Sequence, residues 1–219
     1  AAVAGNMREI LHNPAFQRIE AAWRSVYFLT REIETSVELK IYLVHLPQRM
    51  VAGDLLRSND LQDTVLYAIL KSQPWNYVAA DYYFSPDDVD MGVLGRIALL
   101  AGVTGVRFVA GAKPDPKEWM EPSAGYTEVR RIPESEFIGL GLPRWIARMP
   151  YGKGAGEVDL FEFEEMPKKG EPPHEHYCWA NPAYALAYLI AEDHSTGEEA
   201  LNIHRLPAHV YKDATESMV

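Results

Sequence analysis

Phe137–Gly152 reads FIGLGLPRWIARMPYG, and the placing of its prolines and arginines decides how the second half of the chain folds. Pro143 and Pro150 fix φ and withhold a backbone donor, so one continuous helix across the window is excluded. They bracket a short segment in which Arg144 and Arg148 stand one helical turn apart. As a single turn, that segment places both guanidiniums on one face and leaves Trp145, Ile146 and Met149 to pack elsewhere. Two such forks require acceptors. Either they bind a phosphate or carboxylate ligand, or they pair with Asp and Glu of this chain or of a partner. With no glycine cradle around them, pairing is the expectation.

Upstream of the window, Pro133–Glu136 has the character of a first helical turn, Tyr126–Arg131 is a short element of undecided type, and Lys113–Pro122 is a loop with one turn around Trp119. Val106–Ala110 is short, apolar and glycine-bounded, a strand. Before it, Val89, Val93, Ile97 and Leu100 share one face of a helix that Gly102–Gly105 ends. Tyr77–Phe84 suits an inner strand, interrupted only by Asp81. The acidic run Asp87, Asp88, Asp90 lacks the ligand order of a calcium loop and fits the start of the following helix instead. Gln48–Arg57 and Asp60–Ser72 read as helices, and Val37, Leu39, Ile41 and Leu43 alternate with polar residues as in a half-buried strand. At the start, Val3–His12 is a short helix. Asn13 and Pro14 then give the cap and first turn of a long one, whose stripe of Phe16, Ile19, Trp23 and Val26 predicts a core face with Trp23 as its most buried anchor. Glu20 and Arg24 sit at i, i+4 on the wet side. Strand, helices, strand, helix, strand is the order of an α/β fold: a single domain with a mixed central sheet flanked by helices, over 1–201, followed by a tail or linker at 202–219.

Downstream, GKGAG lacks the spacing and the Ser or Thr of a phosphate loop and reads as a surface loop, as does Pro167–Pro173. In FEFEE (161–165), paired carboxylates could do acid–base work if burial raised one pKa, but nothing nearby complements them. The expected role is structural, with Glu164 or Glu165 receiving Arg144 or Arg148. His174, His176 and Cys178 alternate and could ligate zinc only from an extended strand, with a fourth ligand missing. Asn181 and Pro182 again supply a cap and first turn for a helix bearing Tyr184 and Tyr188.

Composition narrows the function classes. The chain has 219 residues and 24.7 kDa, enough to bury roughly 70% of its unfolded surface. Its one cysteine, Cys178, excludes an internal disulfide and fits a reducing cytoplasm. No signal-peptide pattern opens the chain and no apolar run is long enough to span a bilayer. With 31 acidic against 21 basic side chains the net charge is −10, which repels nucleic acid.

Five words, NPAFQRIEAAWR, LPR, RMPYG, FEFEE and YCWANPAYALA, together resemble the large sheath subunit family of the bacterial type VI secretion system (TssC or VipB). The resemblance covers most of residues 10 to 190. Ser25 stands where that family usually has glycine after Trp-Arg, and the family's strand-exchanging C-terminal domain has no counterpart here. The resemblance implies a structural, non-enzymatic protein of the bacterial cytoplasm that uses no cofactor. Its implied partners are a small sheath subunit and neighbouring sheath subunits and, in the full-length context, an inner tube protein and a recycling AAA+ ATPase. Trp23, Arg24, Arg144, Arg148, Tyr151, Glu164, Glu165 and Trp179 are the implied structural or interface residues. The rival from another class is a small cytosolic hydrolase or metal-dependent enzyme using Asp81, Glu164 and the His174/His176 pair.

Overall fold

In the computed structural model, residues 2–152, 162–166, 170 and 172–196 are described. The helices are α1 (Ala2–Leu11), α2 (Pro14–Glu32), α3 (Gln48–Arg57), α4 (Val65–Ser72), α5 (Asp88–Thr104), α6 (Pro116–Met120), α7 (Ala124–Arg131) and α8 (Pro182–Thr196). The strands are β1 (Tyr77–Phe84), β2 (Arg107–Ala112), β3 (Ile138–Gly141), β4 (Trp145–Arg148) and β5 (Cys178–Ala180). The first three strands form a parallel sheet in the order β1-β2-β3, and β4 and β5 form a separate antiparallel pair. The fold is mixed α/β in one domain, with its parallel and antiparallel pairings kept in two sheets. Residues 153–156 of GKGAG, Phe161, most of Pro167–Pro173 and the boundary between 1–201 and 202–219 lie outside the described residues.

Parallel neighbours need a crossover, and α5 provides the first. Asp87 accepts the Asp90 N–H at 2.8 Å to cap its start, and Gly105 closes its end at φ 72°, a left-handed conformation suited to glycine. The helix is apolar on several sides because the sheet covers one flank while α3, α4, α7 and a 3₁₀ turn at Pro133–Phe137 cover others. Val78, Ala80, Tyr82 and Phe84 alternate onto the face of β1 that meets this layer, with Phe108 and Ala110 beside them. Against the opposite face lies the start of α8. A Cβ at Gly111 would stand 2.8 Å from Asn181 Oδ1 and 2.9 Å from the Tyr83 ring, so only a glycine there lets α8 approach β2 this closely. A second apolar cluster joins Ala21, Phe28, Leu29 and Ile33 to Trp145, Cys178, Tyr188 and Leu189.

Four expectations are corrected. The Arg144–Arg148 segment is not a helical turn but β4 with the residue that leads into it, beyond the cis Leu142–Pro143 bond. Trp145 and Ile146 are both buried, which a two-sided strand permits and a single surface turn does not. Asp60–Ser72 is not one helix. Asp60 caps a 3₁₀ turn at Leu61–Asp63, and Thr64 caps α4 by accepting the Tyr67 N–H.

Trp23 is not a core anchor. It is 66% exposed, with Phe16 at 40%, Ile19 at 57% and Tyr27 at 63%. α2 carries two apolar stripes on opposite sides, and it turns Ala21, Ser25, Phe28 and Leu29 inward. Small side chains at 21 and 25 let the helix lie close on β4 and β5, which a tryptophan ridge would prevent. The buried Ser25 hydroxyl is satisfied by the Ala21 carbonyl at 2.7 Å.

Val37–Val44 opens in a bend, closed by the Ser36 N–H donating to the Leu39 carbonyl at 2.9 Å, and joins no ladder among the described residues; Val37 is 88% exposed. Leu39 and Ile41 do rest on the second cluster. The neighbouring edge of β1 is occupied by side chains. Gln48 donates to the Tyr83 carbonyl at 2.9 Å and accepts its N–H at 3.2 Å, imitating a strand partner, while Tyr82 donates its hydroxyl to the Leu46 carbonyl at 2.5 Å.

These orientations give opposite mutational expectations along one helix. Phe28→Ala should cost about 3–5 kcal/mol, whereas Trp23→Ala should stay within about 0.5 kcal/mol of the parent. Urea unfolding of both variants measures this, and a large loss on Trp23→Ala alone would place the outer stripe in the core.

Candidate functional site

β4 pairs with β5 through Trp145–Ala180, Ile146–Trp179 and Arg148–Cys178, with an irregularity between Ile146 and Arg148. At the end of this ribbon the Arg148 side chain is only 7% exposed. Its Nε donates to Glu20 at 2.7 Å, Nη1 to Glu165 at 2.7 Å and to the Met149 carbonyl at 3.1 Å, and Nη2 to Glu20 at 3.2 Å and Glu165 at 3.1 Å. An arginine has five N–H donors, so every one is used, and both carboxylates are held as two-pronged pairs. Burial works against the Arg148 charge, but the hydrogen bonds of Glu165 and Glu20 overcome it and hold the pKa above the usual arginine value. The Glu165 side chain is fully buried and also accepts the Tyr151 N–H at 2.7 Å.

The clamp extends outward. Arg24 donates to Glu20 and to the Tyr151 hydroxyl, each at 2.9 Å, and the Tyr151 ring lies 4.4 Å from the Arg148 guanidinium carbon. Arg8 of α1 donates to the Glu164 carbonyl at 2.8 Å and covers the Phe163 ring. His12 approaches Glu165 at 3.8 Å and stacks on His176 at 3.8 Å, while Gln17 donates to the His176 carbonyl at 3.1 Å. Cys178 is buried within this layer, and burial foremost pushes its thiol pKa up to about 12.

Arg144 belongs to a different environment. Its guanidinium carbon lies 5.2 Å from the Trp179 ring centroid, at a cleft of about 470 Å³ between α2, β1 and residues 174–181. Asp81 is in the same cleft. It touches solvent at the opening yet is walled by protein, and burial raises its pKa against hydrogen bonds from Asn181 and Tyr184 and the field of Arg18.

Arg148 with Glu165 is thus the carboxylate pairing expected from sequence, while Arg144 meets neither Glu164 nor Glu165. Glu20, placed on the wet side from its i, i+4 spacing to Arg24, is instead an interior partner of Arg148. A signal was present, since 20 falls on the border between the two apolar stripes of α2. Of the rival enzyme set, Asp81 and His176 line the cleft, but Glu164 does not, and His174 stacks on Trp179. Among the described residues no group of three His, Cys, Asp or Glu side chains is placed to hold a metal ion. A serine–lysine pair not foreseen from sequence, Ser85 Oγ with Lys113 Nζ at 3.0 Å, has its hydroxyl buried between Asp87 and Asp90 and closes the start of α5.

With every arginine of the quoted words placed, the comparisons decide the family. Residues 1–123 and 117–206 match the family model VipB, described as EvpB/VC_A0108, tail sheath N-terminal domain. The chain belongs to this tail sheath family. The type VI secretion system sheath protein TssC1 of Pseudomonas aeruginosa is 28% identical over 217 residues, covering 87% of this chain and 43% of that protein. The VipB-family chain therefore spans less than half the length of that relative. No helix among its described residues is long and apolar enough to cross a membrane.

The clamp makes two expectations. Arg148→Ala leaves Glu165 buried without its partner and should cost about 3–5 kcal/mol. A double-mutant cycle between 148 and 165 should show coupling on the order of 0.5–3 kcal/mol, and one between 144 and 165 none. Acid sensitivity follows from four groups whose folded pKa lies below its ordinary value, one of them Asp87, lowered first by the Ser85 hydroxyl. His12 is lowered by burial first and then by His176, Arg148 and Arg8; His174 by burial and then Arg144. For Glu20, burial opposes the shift, and the hydrogen bonds and charges of Arg148 and Arg24 outweigh it. The unfolded chain then takes up protons first on acidification, so this stability is complete above the unfolded pKa and is lost as pH falls through the folded one. Unfolding midpoints should drop first below about pH 6.5 and again below about pH 4.5, and His12→Gln or His174→Gln should shrink the first step.

Proposed function

We propose that this chain is an architectural, non-catalytic part of a type VI secretion contractile sheath, equivalent to the N-terminal portion of the large sheath subunit, working in the bacterial cytoplasm. The family match along nearly the whole chain carries this reading. Two structural observations support it. The last carboxylate of FEFEE, Glu165, and the second arginine of the quoted window serve an internal clamp, and α2 presents Phe16, Ile19, Trp23 and Tyr27 outward as one stripe opposite its buried face. An apolar ridge of this kind on a soluble domain marks a protein–protein contact. The first partner is the small sheath subunit, with neighbouring sheath subunits beside it; the inner tube and the recycling AAA+ ATPase are partners of the complete assembly.

Sedimentation of the purified chain with and without the small sheath subunit tests the proposal. The two should co-sediment, and Trp23→Ala should weaken the complex by about tenfold or more, the scale of an interface tryptophan, with an unchanged melting temperature. Independent sedimentation of the two proteins at micromolar concentrations would overturn it.

A further inference from the structure

The cleft beside α2 holds charged groups that the Arg148 clamp does not use. Gln17, Arg18, Asp81, Tyr83, Arg144 and Trp179 are among the residues that wall it. The Trp179 indole beneath the Arg144 guanidinium is itself fixed. It stacks with His174 at 4.4 Å and donates Nε1–H to the His174 carbonyl at 2.7 Å. Among the described residues, no carboxylate lies within ion-pair distance of Arg144 and no acceptor takes its N–H groups; Glu175 and Tyr83 act on it only through their fields. Four positions away, Arg148 has every donor bonded. Arg144 is therefore a half-buried cation over an aromatic ring with its fork open.

That arrangement suits a planar, singly charged carboxylate, which matches the fork through two parallel N–H···O bonds. Arg18, exposed on α2 with no ion pair among the described residues, adds positive charge to the same cleft. Asp81 adds discrimination. Its field opposes a dianionic phosphate more strongly than a monoanion, and its oxygens can accept an N–H lying next to an incoming carboxylate. A carboxylate with a neighbouring amide is what an acidic residue in a polypeptide presents.

We propose that this cleft binds the side chain of an aspartate or glutamate from another polypeptide, with Arg144 holding its carboxylate over Trp179 and Asp81 accepting an adjacent amide N–H. Placing that residue on a neighbouring sheath subunit rests on the function proposed above, whereas the carboxylate chemistry does not.

Titrating the purified chain with N-acetylglutamate amide, its glutamine analogue, glutarate and inorganic phosphate, while following the ¹⁵N signals of Arg144 Nε and Trp179 Nε1, tests the site. The glutamate probe should shift both signals with a Kd of about 1–10 mM, the range of one charge-assisted contact. Glutarate, which lacks the amide, should bind more weakly, and phosphate and the glutamine analogue should leave both signals in place. Arg144→Gln should abolish the response. Arg144→Lys keeps the charge without the fork and should weaken it by about tenfold, and Asp81→Asn should erase the preference for the amide-bearing probe; melting temperatures confirm folding in each case. An equal response to the glutamine analogue, tighter binding of phosphate, binding that survives Arg144→Gln, or no response up to about 50 mM probe would overturn the proposal. Loss of co-sedimentation with the small sheath subunit, with this titration intact, would remove the sheath role and leave the site standing.

Discussion

A single guanidinium fixes the α2 side of the molecule. Arg148 sits where α2, the β4–β5 ribbon and residues 162–166 meet, and its two carboxylates come from positions 20 and 165. Withdrawing such charges from water is costly, and well-packed apolar side chains of similar volume often give equal or greater stability. What the charged set adds is geometry. A doubly forked arginine sets both distance and plane, whereas apolar contacts tolerate sliding. α2 is thereby held at one rotation about its axis, which sends Ala21, Ser25 and Phe28 inward and the Trp23 stripe outward.

Where a local chemical rule governs the backbone, the chain could be read directly. Asn13 before Pro14, Asp87 before α5 and Asn181 before Pro182 each place a side-chain oxygen where free helix N–H groups need one. Two of the three strands of the main sheet, β1 and β2, were legible from their apolar runs; β3 (Ile138–Gly141) was not, because it lies inside the window that reads as a helical entry and a proline-bracketed turn. Periodicity failed where it had two answers. α2 carries two apolar stripes, and only the room beneath Ala21 and Ser25 selects the inner one. The alternation of Val37–Val44 describes which side chains share a face and says nothing of a backbone partner, which Gln48 replaces at the β1 edge. Arg144 and Arg148 stand four apart, a spacing compatible with one helical turn and equally with one face of an extended strand; the burial of Trp145 and Ile146 between them selects the strand. The Arg148–Glu165 contact was legible as a pairing of residue types, and the role of Glu20 was hidden because its spacing to Arg24 already explained it.

The two arginines of that window end in opposite electrostatic states, and the sheet explains why. Arg148 leaves β4 on the side where α2 and the buried carboxylates lie, so its field closes on itself. Arg144 precedes the strand, beside the start of α8 and the tryptophan of β5, where no carboxylate is within reach among the described residues. One is complete within the fold and the other is open.

Cys178 bears on how this protein can be handled as well as on how it folds. Its sulfur is enclosed against α2, 3.8 Å from the Gln17 carbonyl, and the raised pKa keeps it as thiol, so at neutral pH it presents almost no nucleophilic thiolate. It is also the chain's one cysteine. A cysteine introduced at an exposed position would then be the sole reactive handle for maleimide dyes or spin labels, and distances could be measured on the native sequence background without first deleting a core residue.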